Sequence, residues 1–215
     1  MKTIIALVLT AFVAAPASAQ IRPLPPPFDD RPSISLRPFF VFAQENFTAR
    51  KTFDAVFGKS SQPFFGGGLS VAFKKGFYFD VTASRFKKTG ERAFFSDGQS
   101  FGLGIPLTAT LTPLEVTAGV RFRITPRLFP YAGGGAGSYR YQETSQFEDA
   151  PFDQRHVGYL VVGGVEFRIS RWVGISGDAQ YTRVPGIIGS GGVSKEAGES
   201  DLGGTSGRVR VIVGR

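Results

Sequence analysis

The sequence predicts an all-β fold: an eight-stranded antiparallel up-and-down transmembrane β-barrel with short periplasmic turns and long extracellular loops. Apolar and polar residues alternate with period two in eight segments of about ten residues, the length that a tilted strand needs to cross a bilayer. Short and long connections alternate between these segments, as they do in outer-membrane barrels. The 28 glycines and 22 phenylalanines of the 215-residue chain suit a narrow, curved sheet with aromatic rims.

The residues before the first strand predict export. An apolar run at residues 4–15 follows Lys2, and Ala17-Ser18-Ala19 has the form of a cleavage site. The run is shorter than the roughly 20 apolar residues of a membrane-spanning helix. We therefore expect a signal peptide at residues 1–19, a proline-rich periplasmic spacer at 20–32 and the barrel domain at 33–215. A PxxP ligand for a partner is the alternative use of the spacer.

The eight segments follow in order after the spacer, and we expect no helix among them. They are residues 34–42, 64–73, 77–84, 114–124, 131–142, 156–169, 173–182 and 208–213. Phenylalanine and aliphatic residues form the predicted outward face of the first four segments. In the fifth, Tyr131, Tyr139 and Tyr141 are predicted to face outward and Arg140 inward. Valine, isoleucine and tyrosine supply most of the outward face of the last three.

Charged residues fall on the opposite, inward face. The predicted lumen charge network consists of Arg37, Asp80, Glu115, Arg121, Arg123, Arg140, Glu166, Arg168, Asp178, Arg208 and Arg210. An eight-stranded barrel is narrow enough for side chains to fill it, and buried charges must be paired. We therefore expect an interior closed by ion pairs, and an arginine-lined anion path is the alternative.

The connections differ in length. The short ones are residues 74–76, 125–128 and 170–171, and the expected long loops are residues 43–63, 87–110, 143–155 and 186–205. Basic residues of two long loops are expected to meet anionic headgroups: Lys51, Lys59, Lys87, Lys88 and Arg92.

Aromatic residues cluster near the ends of the segments, as in the girdles of membrane barrels. The predicted interface aromatics are Phe73, Phe77, Phe122, Phe129, Phe167 and Trp172 beside the short turns, and Tyr139, Tyr141, Tyr159 and Tyr181 toward the long loops. A soluble β-core is the alternative explanation of these aromatics.

The chain resembles the small outer-membrane β-barrel superfamily of OmpA/OmpX/OmpW-like proteins. The stretches that carry the resemblance are PLEVTAGVRFRI (113–124), PYAGGGAGSYRYQE (130–143), GYLVVGGVEFRISRW (158–172) and the ending DLGGTSGRVRVIVGR. They look most like uncharacterised acidobacterial-type outer-membrane barrel proteins. The resemblance covers residues 32–215 and implies a barrel domain, with no catalytic residues to transfer. Members usually end in an aromatic residue, whereas this chain ends in Val213-Gly214-Arg215.

No catalytic, cofactor or metal site is predicted. The chain has no cysteine, which excludes disulfides, thiol nucleophiles and cysteine-ligated metals. The GGGAG run at residues 133–137 lacks the Lys-Ser/Thr ending of a phosphate loop. His156 is the single histidine. Its alternatives are an ordinary loop histidine or a member, with Asp153 or Glu148, of a lipid-modifying site.

These observations predict a monomeric protein of the cell outer membrane that presents surface loops, has no large pore and is not an enzyme. Its expected partners are outer-membrane lipid, lipopolysaccharide and the outer-membrane assembly machinery. The net charge of +8 does not predict a nucleic-acid partner, because export separates the chain from DNA. A lipid-modifying enzyme that depends on His156 and a narrow solute or anion pore are the alternative functions.

Overall fold

A computed structural model describes residues 34–96, 99–145, 152–190 and 192–214. Eight strands follow one another along the chain: β1 (Ile34–Phe47), β2 (Ser61–Phe73), β3 (Phe77–Ser96), β4 (Gln99–Arg121), β5 (Leu128–Ser145), β6 (Phe152–Arg168), β7 (Val173–Val184) and β8 (Leu202–Val213). Each predicted segment overlaps one of these strands. The predicted signal peptide and spacer lie outside the described residues.

The sheet closes on itself. Every strand pairs antiparallel with its neighbours in sequence, and β1 also pairs with β8. In that closing pair Phe39 lies opposite Ile212, and Phe47 lies opposite Gly204. Exposed and buried residues alternate along the strands, most regularly in β7, as the period of a strand requires. The predicted fold class, an all-β up-and-down barrel of eight antiparallel strands, is confirmed.

The connections gather at two ends of the barrel. Residues 74–76, 122–127 and 169–172 form one end, which we call the turn end, together with the beginning of β1 and the end of β8. The opposite end, which we call the loop end, contains the connections at residues 48–60, 185–190 and 192–201, together with the end of β3, the beginning of β4, the end of β5 and the beginning of β6.

The prediction of a long loop at residues 87–110 is wrong, because this segment is a paired hairpin. Residues 86–96 of β3 pair with residues 99–111 of β4. β2 accompanies β3 only as far as Arg85, and β5 accompanies β4 only as far as Leu107. The tip of the hairpin is therefore a two-stranded ribbon beyond the barrel. Outward positions at the base of this hairpin carry Lys87, Thr89 and Glu91, so the hydropathy pattern fades although the pairing continues.

Two helices lie in the connections of the loop end, so the expectation that no helix occurs is wrong. α1 (Arg50–Phe57) lies between β1 and β2, and α2 (Gly192–Glu196) lies between β7 and β8. Gly58 ends α1 in the left-handed conformation, with φ 76°. One face of α1 is buried, through Thr52, Phe53 and Val56. Neither helix in the described residues is long and apolar enough to cross a membrane.

The predicted orientation of β5 is also wrong. Tyr139 and Tyr141 are only 2% and 3% exposed and face the lumen, whereas Arg140 faces outward. The Tyr139 hydroxyl donates a hydrogen bond to Glu115 Oε1 at 2.8 Å. Tyrosine thus fills the interior with its ring and bonds a lumen carboxylate with its hydroxyl. The glycines that precede it in β5 offer no hydropathy contrast that would have revealed this orientation.

Two glycines make room for a tyrosine in the lumen. Gly119 of β4 lies opposite Gly133 of β5. A Cβ atom on either residue would come closer to the Tyr78 side chain, and to a backbone carbonyl oxygen, than real Cβ contacts allow. Glycine at both positions therefore lets the Tyr78 ring lie directly against the sheet, as a narrow barrel requires.

Candidate functional site: the lumen and the outward face

Glu166 forms ion pairs with three arginines in the part of the lumen near the turn end. Its carboxylate oxygens lie 2.8 Å from Arg37 Nη1, 2.9 Å from Arg121 Nη2 and 3.3 Å from Arg168 Nε. The guanidinium groups of Arg121 and Arg168 also lie over the Phe129 ring, 4.9 Å and 5.2 Å from its centroid. These contacts link β1, β4, β5 and β6 across the lumen.

A second ion-pair cluster fills the middle of the lumen. Asp178 pairs with Arg208 Nε and lies 3.1 Å from Arg210 Nε. Arg210 Nη1 lies 2.8 Å from Asp80 Oδ2. Tyr131 donates a hydrogen bond to Asp178 Oδ2 at 2.6 Å. Charges from β3, β7 and β8 neutralise one another in this cluster, as buried charges must.

Glu115 forms the third polar group, on the side of the loop end. It accepts hydrogen bonds from the Tyr139 hydroxyl at 2.8 Å and from Gln180 Nε2 at 3.1 Å. Its other oxygen lies 3.9 Å from Arg208 Nη1, and Arg208 also donates a hydrogen bond to Gln180. The third group is thus joined to the second through Arg208.

The polar part of the lumen has almost no free volume. A cavity of about 20 Å³ lies between the first two clusters and is lined by residues of both, including Arg37, Tyr78, Asp80, Glu166 and Arg210. That volume holds about one water molecule. Paired side chains surround this cavity in the polar part of the lumen.

The lumen near the loop end is filled by apolar side chains. We call this cluster the plug, and its buried residues are Ala43, Phe47, Ala49, Phe53, Phe64, Phe86, Ala109, Leu111, Tyr139, Tyr141, Val184, Ile187, Ile188 and Leu202. Phe53 of α1 stacks on Phe47 with ring centroids 4.0 Å apart. The β1–β2 and β7–β8 connections both contribute residues, so the chain seals the barrel with its own connections.

Two charged side chains from distant parts of the chain hold the ends of α1. Ala49, at the N-cap position, supplies no side-chain hydrogen bond, and the first turn has no acidic residue. Glu199 accepts hydrogen bonds from the backbone N–H groups of Lys51 at 3.1 Å and Thr52 at 2.9 Å. Lys88 of β3 donates to the carbonyl oxygen of Phe57 at 3.2 Å. A carboxylate at the N-terminus and an ammonium at the C-terminus both suit the helix dipole.

Neither the role of Glu199 nor that of Lys88 at the ends of α1 was predicted from the sequence. Lys88 is half-buried and turned toward α1, so its predicted place among headgroup-facing loop residues is wrong. The signal for the helix was present, because Phe53 and Phe57 are four residues apart and Gly58 follows at the C-terminal stop position. Nothing local identifies Glu199, which is 147 residues away from Thr52 in sequence.

Two predicted members of the lumen charge network lie elsewhere. Arg123 follows the end of β4 and is exposed at the turn end. Arg140 faces outward because the orientation of β5 is inverted, and it forms an ion pair with Asp153. The structure places the other predicted members in the lumen: Arg37, Asp80, Glu115, Arg121, Glu166, Arg168, Asp178, Arg208 and Arg210.

Three predicted interface aromatics are buried in the lumen instead. Phe129, Tyr139 and Tyr141 are each at most 3% exposed, because Phe129 stacks on two arginines and the tyrosines belong to the inverted β5. The other predicted interface aromatics are exposed on the outside of the barrel: Phe73, Phe77, Phe122, Phe167, Trp172, Tyr159 and Tyr181.

An uncharged belt surrounds the barrel between two levels of basic residues. The outward residues of β6 from Val157 to Phe167 and of β7 from Val173 to Tyr181 carry no charge. The belt is bounded at the loop side by outward-facing Arg85, Arg140, Arg155 and Arg183, and at the turn side by the basic residues of the turns. It covers about ten residues of a strand, which matches the hydrocarbon core of a bilayer.

His156 does not lie beside Asp153, as the alternative of a lipid-modifying site would require. It faces inward on β6 opposite Tyr139, while Asp153 faces outward and pairs with Arg140. Residues three apart on a strand lie on opposite faces, which explains the separation. Glu148 lies outside the described residues. Among the described residues no group of three or more His, Cys, Asp or Glu side chains is placed to hold a metal ion.

A cleft of about 560 Å³ lies outside the plug at the loop end. Its walls come from α1, the β3–β4 ribbon, the loop-end residues of β5 and β6, and residues 188–190 and 193–196, with Phe94, Leu103, Phe152 and Val193 among the apolar side chains. It shares no lining residue with the small cavity of the polar lumen. Ile188 of the plug lines this cleft.

No family model matches the chain, and no curated protein matches it.

Solved structures match its fold. Neisserial surface protein A superposes with a TM-score of 0.51 at 15% identity, over 84% of this chain and 97% of that chain. Ail, the attachment invasion locus protein of Yersinia pestis, has a TM-score of 0.49 at 15% identity, over 84% and 97%. The N-terminal barrel domain of Pseudomonas aeruginosa OprF has a TM-score of 0.45 at 11% identity, over 82% and 96%. At this identity the first match shows a shared fold and nothing about activity.

Proposed function

We propose that this chain, which has the fold of small outer-membrane β-barrels, is an outer-membrane protein that presents its loop end at the cell surface. In this proposal its lumen does not conduct, and its role is structural: it anchors the surface connections in the membrane. Outer-membrane lipid surrounds the belt, and lipopolysaccharide meets the basic residues at its loop side.

The uncharged belt is the observation that carries the proposal. Large apolar side chains are exposed on many strands, with Phe40 and Val157 each 72% exposed and Phe65 63% exposed. A soluble monomer rarely exposes a continuous apolar surface of this extent, whereas hydrocarbon accommodates it. Trp172, Tyr159 and Tyr181 lie toward the edges of the belt, where amphipathic rings favour the interface between lipid and water.

The filled lumen supports a structural role over transport. The ion-pair clusters, the cavity of about 20 Å³ and the plug lie in series along the barrel. A hydrated ion would have to break paired buried charges and then displace the apolar plug. Closure of the sheet also supports a monomer, because the barrel has no unpaired edge at which a second barrel would add a strand.

A charge placed in the belt tests membrane insertion. Val161 lies in the middle of the outward face of β6 and is 55% exposed. We expect Val161→Arg to lower the free energy of unfolding from lipid by about 2–4 kcal/mol. Asn46→Arg is the matched control, because Asn46 is exposed at the loop end of β1, where the cost of an arginine falls to about 0–1 kcal/mol.

The measurement is the fraction of folded barrel, seen as a heat-dependent shift in gel mobility after refolding into vesicles. Equal yields for the two variants, or soluble recovery of the unsubstituted protein, would contradict the proposal.

Conductance in planar bilayers tests the closed lumen. We expect no steady ohmic current from the purified protein at neutral pH. A stable conductance of the size seen for porins would exclude the structural role and favour the solute pore.

A further inference from the structure

The turn end carries a charged surface that the proposed function does not use. Its three turns, residues 74–76, 122–127 and 169–172, contain five basic residues and no acidic residue. We call these five the turn rim: Lys74, Lys75, Arg123, Arg127 and Arg171. All of them are exposed. A set of cations with no acidic residue in the same turns gives this end of the barrel a positive potential.

Hydrogen bonds hold the turn rim in a fixed conformation. Each turn accepts a backbone hydrogen bond from the next part of the chain: Arg121 N to Gly76 O at 2.7 Å, Arg168 N to Arg127 O at 2.8 Å and Gly214 N to Trp172 O at 2.8 Å. Within two of the turns a hydroxyl accepts from the backbone, Thr125 Oγ1 from Leu128 N at 3.0 Å and Ser170 Oγ from Val173 N at 3.1 Å. Such bonds stabilise tight turns, so they fix the backbone positions from which the cations project.

Exposed apolar side chains stand beside the cations of the turn rim. Phe122 and Ile124, on either side of Arg123, are 59% and 62% exposed, and Trp172 beside Arg171 is 53% exposed. A soluble anionic partner would leave these side chains in water. A lipid leaflet instead takes the apolar groups into its hydrocarbon and meets the cations at its phosphates. The arrangement therefore fits a lipid surface.

The basic residues at the loop side of the belt are in a different environment. There Arg140 forms an ion pair with Asp153, and Arg183 forms one with Asp201. Acidic residues thus neutralise part of the positive charge at that level. Among the described residues, the three turns of the turn side carry cations with no acidic residue, whereas the basic residues of the loop side are partly paired with acidic ones.

We propose that the turn rim binds the phosphate groups of anionic lipids in the leaflet that surrounds the turns. This inference rests on the proposed insertion of the barrel into a membrane. Each basic residue near an anionic surface strengthens binding by about fivefold. Salt weakens the attraction, because the exposed charges are screened over about 10 Å at 0.1 M ionic strength.

The single tryptophan of the chain, Trp172, lies beside Arg171 of the turn rim and serves as a local fluorescence donor. The experiment measures energy transfer from Trp172 to a dansyl-labelled lipid in nanodiscs of neutral phosphatidylcholine. It compares an anionic dansyl lipid with a neutral one at equal mole fraction. The test variant replaces Lys74, Lys75, Arg123, Arg127 and Arg171 by Gln. The matched control removes the same number of charges at the loop end, through Gln at Arg50, Lys51, Lys59, Lys87 and Lys195.

We expect the unsubstituted protein to enrich the anionic probe around Trp172 by about fivefold or more at low salt, with the enrichment falling as salt is added. The control variant should keep this preference and the test variant should lose it. An inserted protein without preference, or equal losses in both variants, overturns the lipid site and leaves the proposed function standing. Failure to insert at all overturns both. Salt-sensitive binding of soluble polyglutamate to the turn end, with no lipid preference, overturns the inference in favour of a soluble partner.

Discussion

The two halves of the lumen are closed by different chemistry. Near the turn end, arginines and carboxylates on the strands themselves form the ion-pair clusters around Glu166 and Asp178. Near the loop end, the plug is apolar and is completed by Phe53 of α1 and Ile187 of the β7–β8 connection. The first half is closed by the barrel wall, and the second is closed by segments that fold back into the barrel.

This difference indicates how each half contributes to a single native structure. Ion pairs between strands require each charge to meet its partner across the lumen, so they favour one register of the sheet at the cost of desolvation. An apolar plug is less specific in geometry, but burial of its phenylalanines supplies free energy directly. We therefore expect the polar half to respond sharply to loss of one charge, and the plug to respond in proportion to the buried area removed.

The largest effect is expected at Glu166. Glu166→Ala leaves Arg37, Arg121 and Arg168 buried without their shared carboxylate, and we expect it to lower the free energy of unfolding by about 3–5 kcal/mol. Asp153→Ala is the control, because it breaks only the solvent-screened pair with Arg140 and should therefore destabilise the fold far less than Glu166→Ala. Denaturant titration in detergent micelles, followed by gel mobility, measures both. Similar unfolding midpoints for the two variants would mean that the buried lumen ion pairs contribute no more to stability than the exposed pair.

Truncation of the plug comes next. Phe53 is 1% exposed, and Phe53→Ala should cost about 3 kcal/mol. The loss should be concentrated at the loop end, so hydrogen exchange should accelerate in α1 and in the ends of β1 and β2 but not around Glu166. Phe94→Ala, at a ribbon residue that is 40% exposed, serves as the control and should leave exchange in α1 unchanged. Uniform acceleration along the whole barrel would show that the two halves do not unfold separately.

A smaller effect is expected at the N-terminus of α1. Glu199→Gln weakens the hydrogen bonds to the backbone of Lys51 and Thr52, and loss of a helix cap costs about 1 kcal/mol. Asp54→Asn removes the same charge from the exposed face of α1 and should not destabilise it. Exchange rates of the α1 amides distinguish the two variants. Equal rates would exclude Glu199 as a cap.

The smallest effect concerns pH at the loop end. Burial raises the pKa of Asp201, but hydrogen bonds from the Arg183 side chain, the Gly186 backbone and the Ser200 hydroxyl outweigh it, and the pKa lies below its usual 3.8. A depressed carboxyl pKa stabilises the folded state above the unfolded pKa and loses this contribution as pH falls through the folded value.

The contacts of Asp201 should therefore persist at neutral pH and loosen only below pH 3.8. The amide chemical shift of Gly186 should report a midpoint below that value, and Asp201→Asn should remove the transition. The ion pairs of the polar half should be intact throughout this titration of the loop end. A midpoint above 3.8 would contradict the contacts described.

Most of the barrel wall was predictable because strand alternation is a local property. The charged and apolar faces of β1, β2, β4 and β7 follow directly from period two. The orientation of β5 was predicted wrongly because its glycines carry no hydropathy signal and because tyrosine is found on both lipid-facing and lumen-facing sides of a strand. The β3–β4 hairpin was predicted wrongly for a related reason: its outward positions Lys87, Thr89 and Glu91 are polar, although Ala93, Leu107 and Ala109 are buried on its other face. The plug and the role of Glu199 depend on contacts between distant connections, which no local pattern encodes.

The lumen ion pairs also have a consequence for the order of folding. Arg37 and Glu166 are 129 residues apart in sequence, and Asp80 and Arg210 are 130 apart. Contacts between such distant residues must overcome the entropy of closing long loops, so they form late and slow the reaction. We therefore expect the Arg37–Glu166 and Asp80–Arg210 partners to stay hydrated while the hairpins assemble, and to pair only when β1 meets β8.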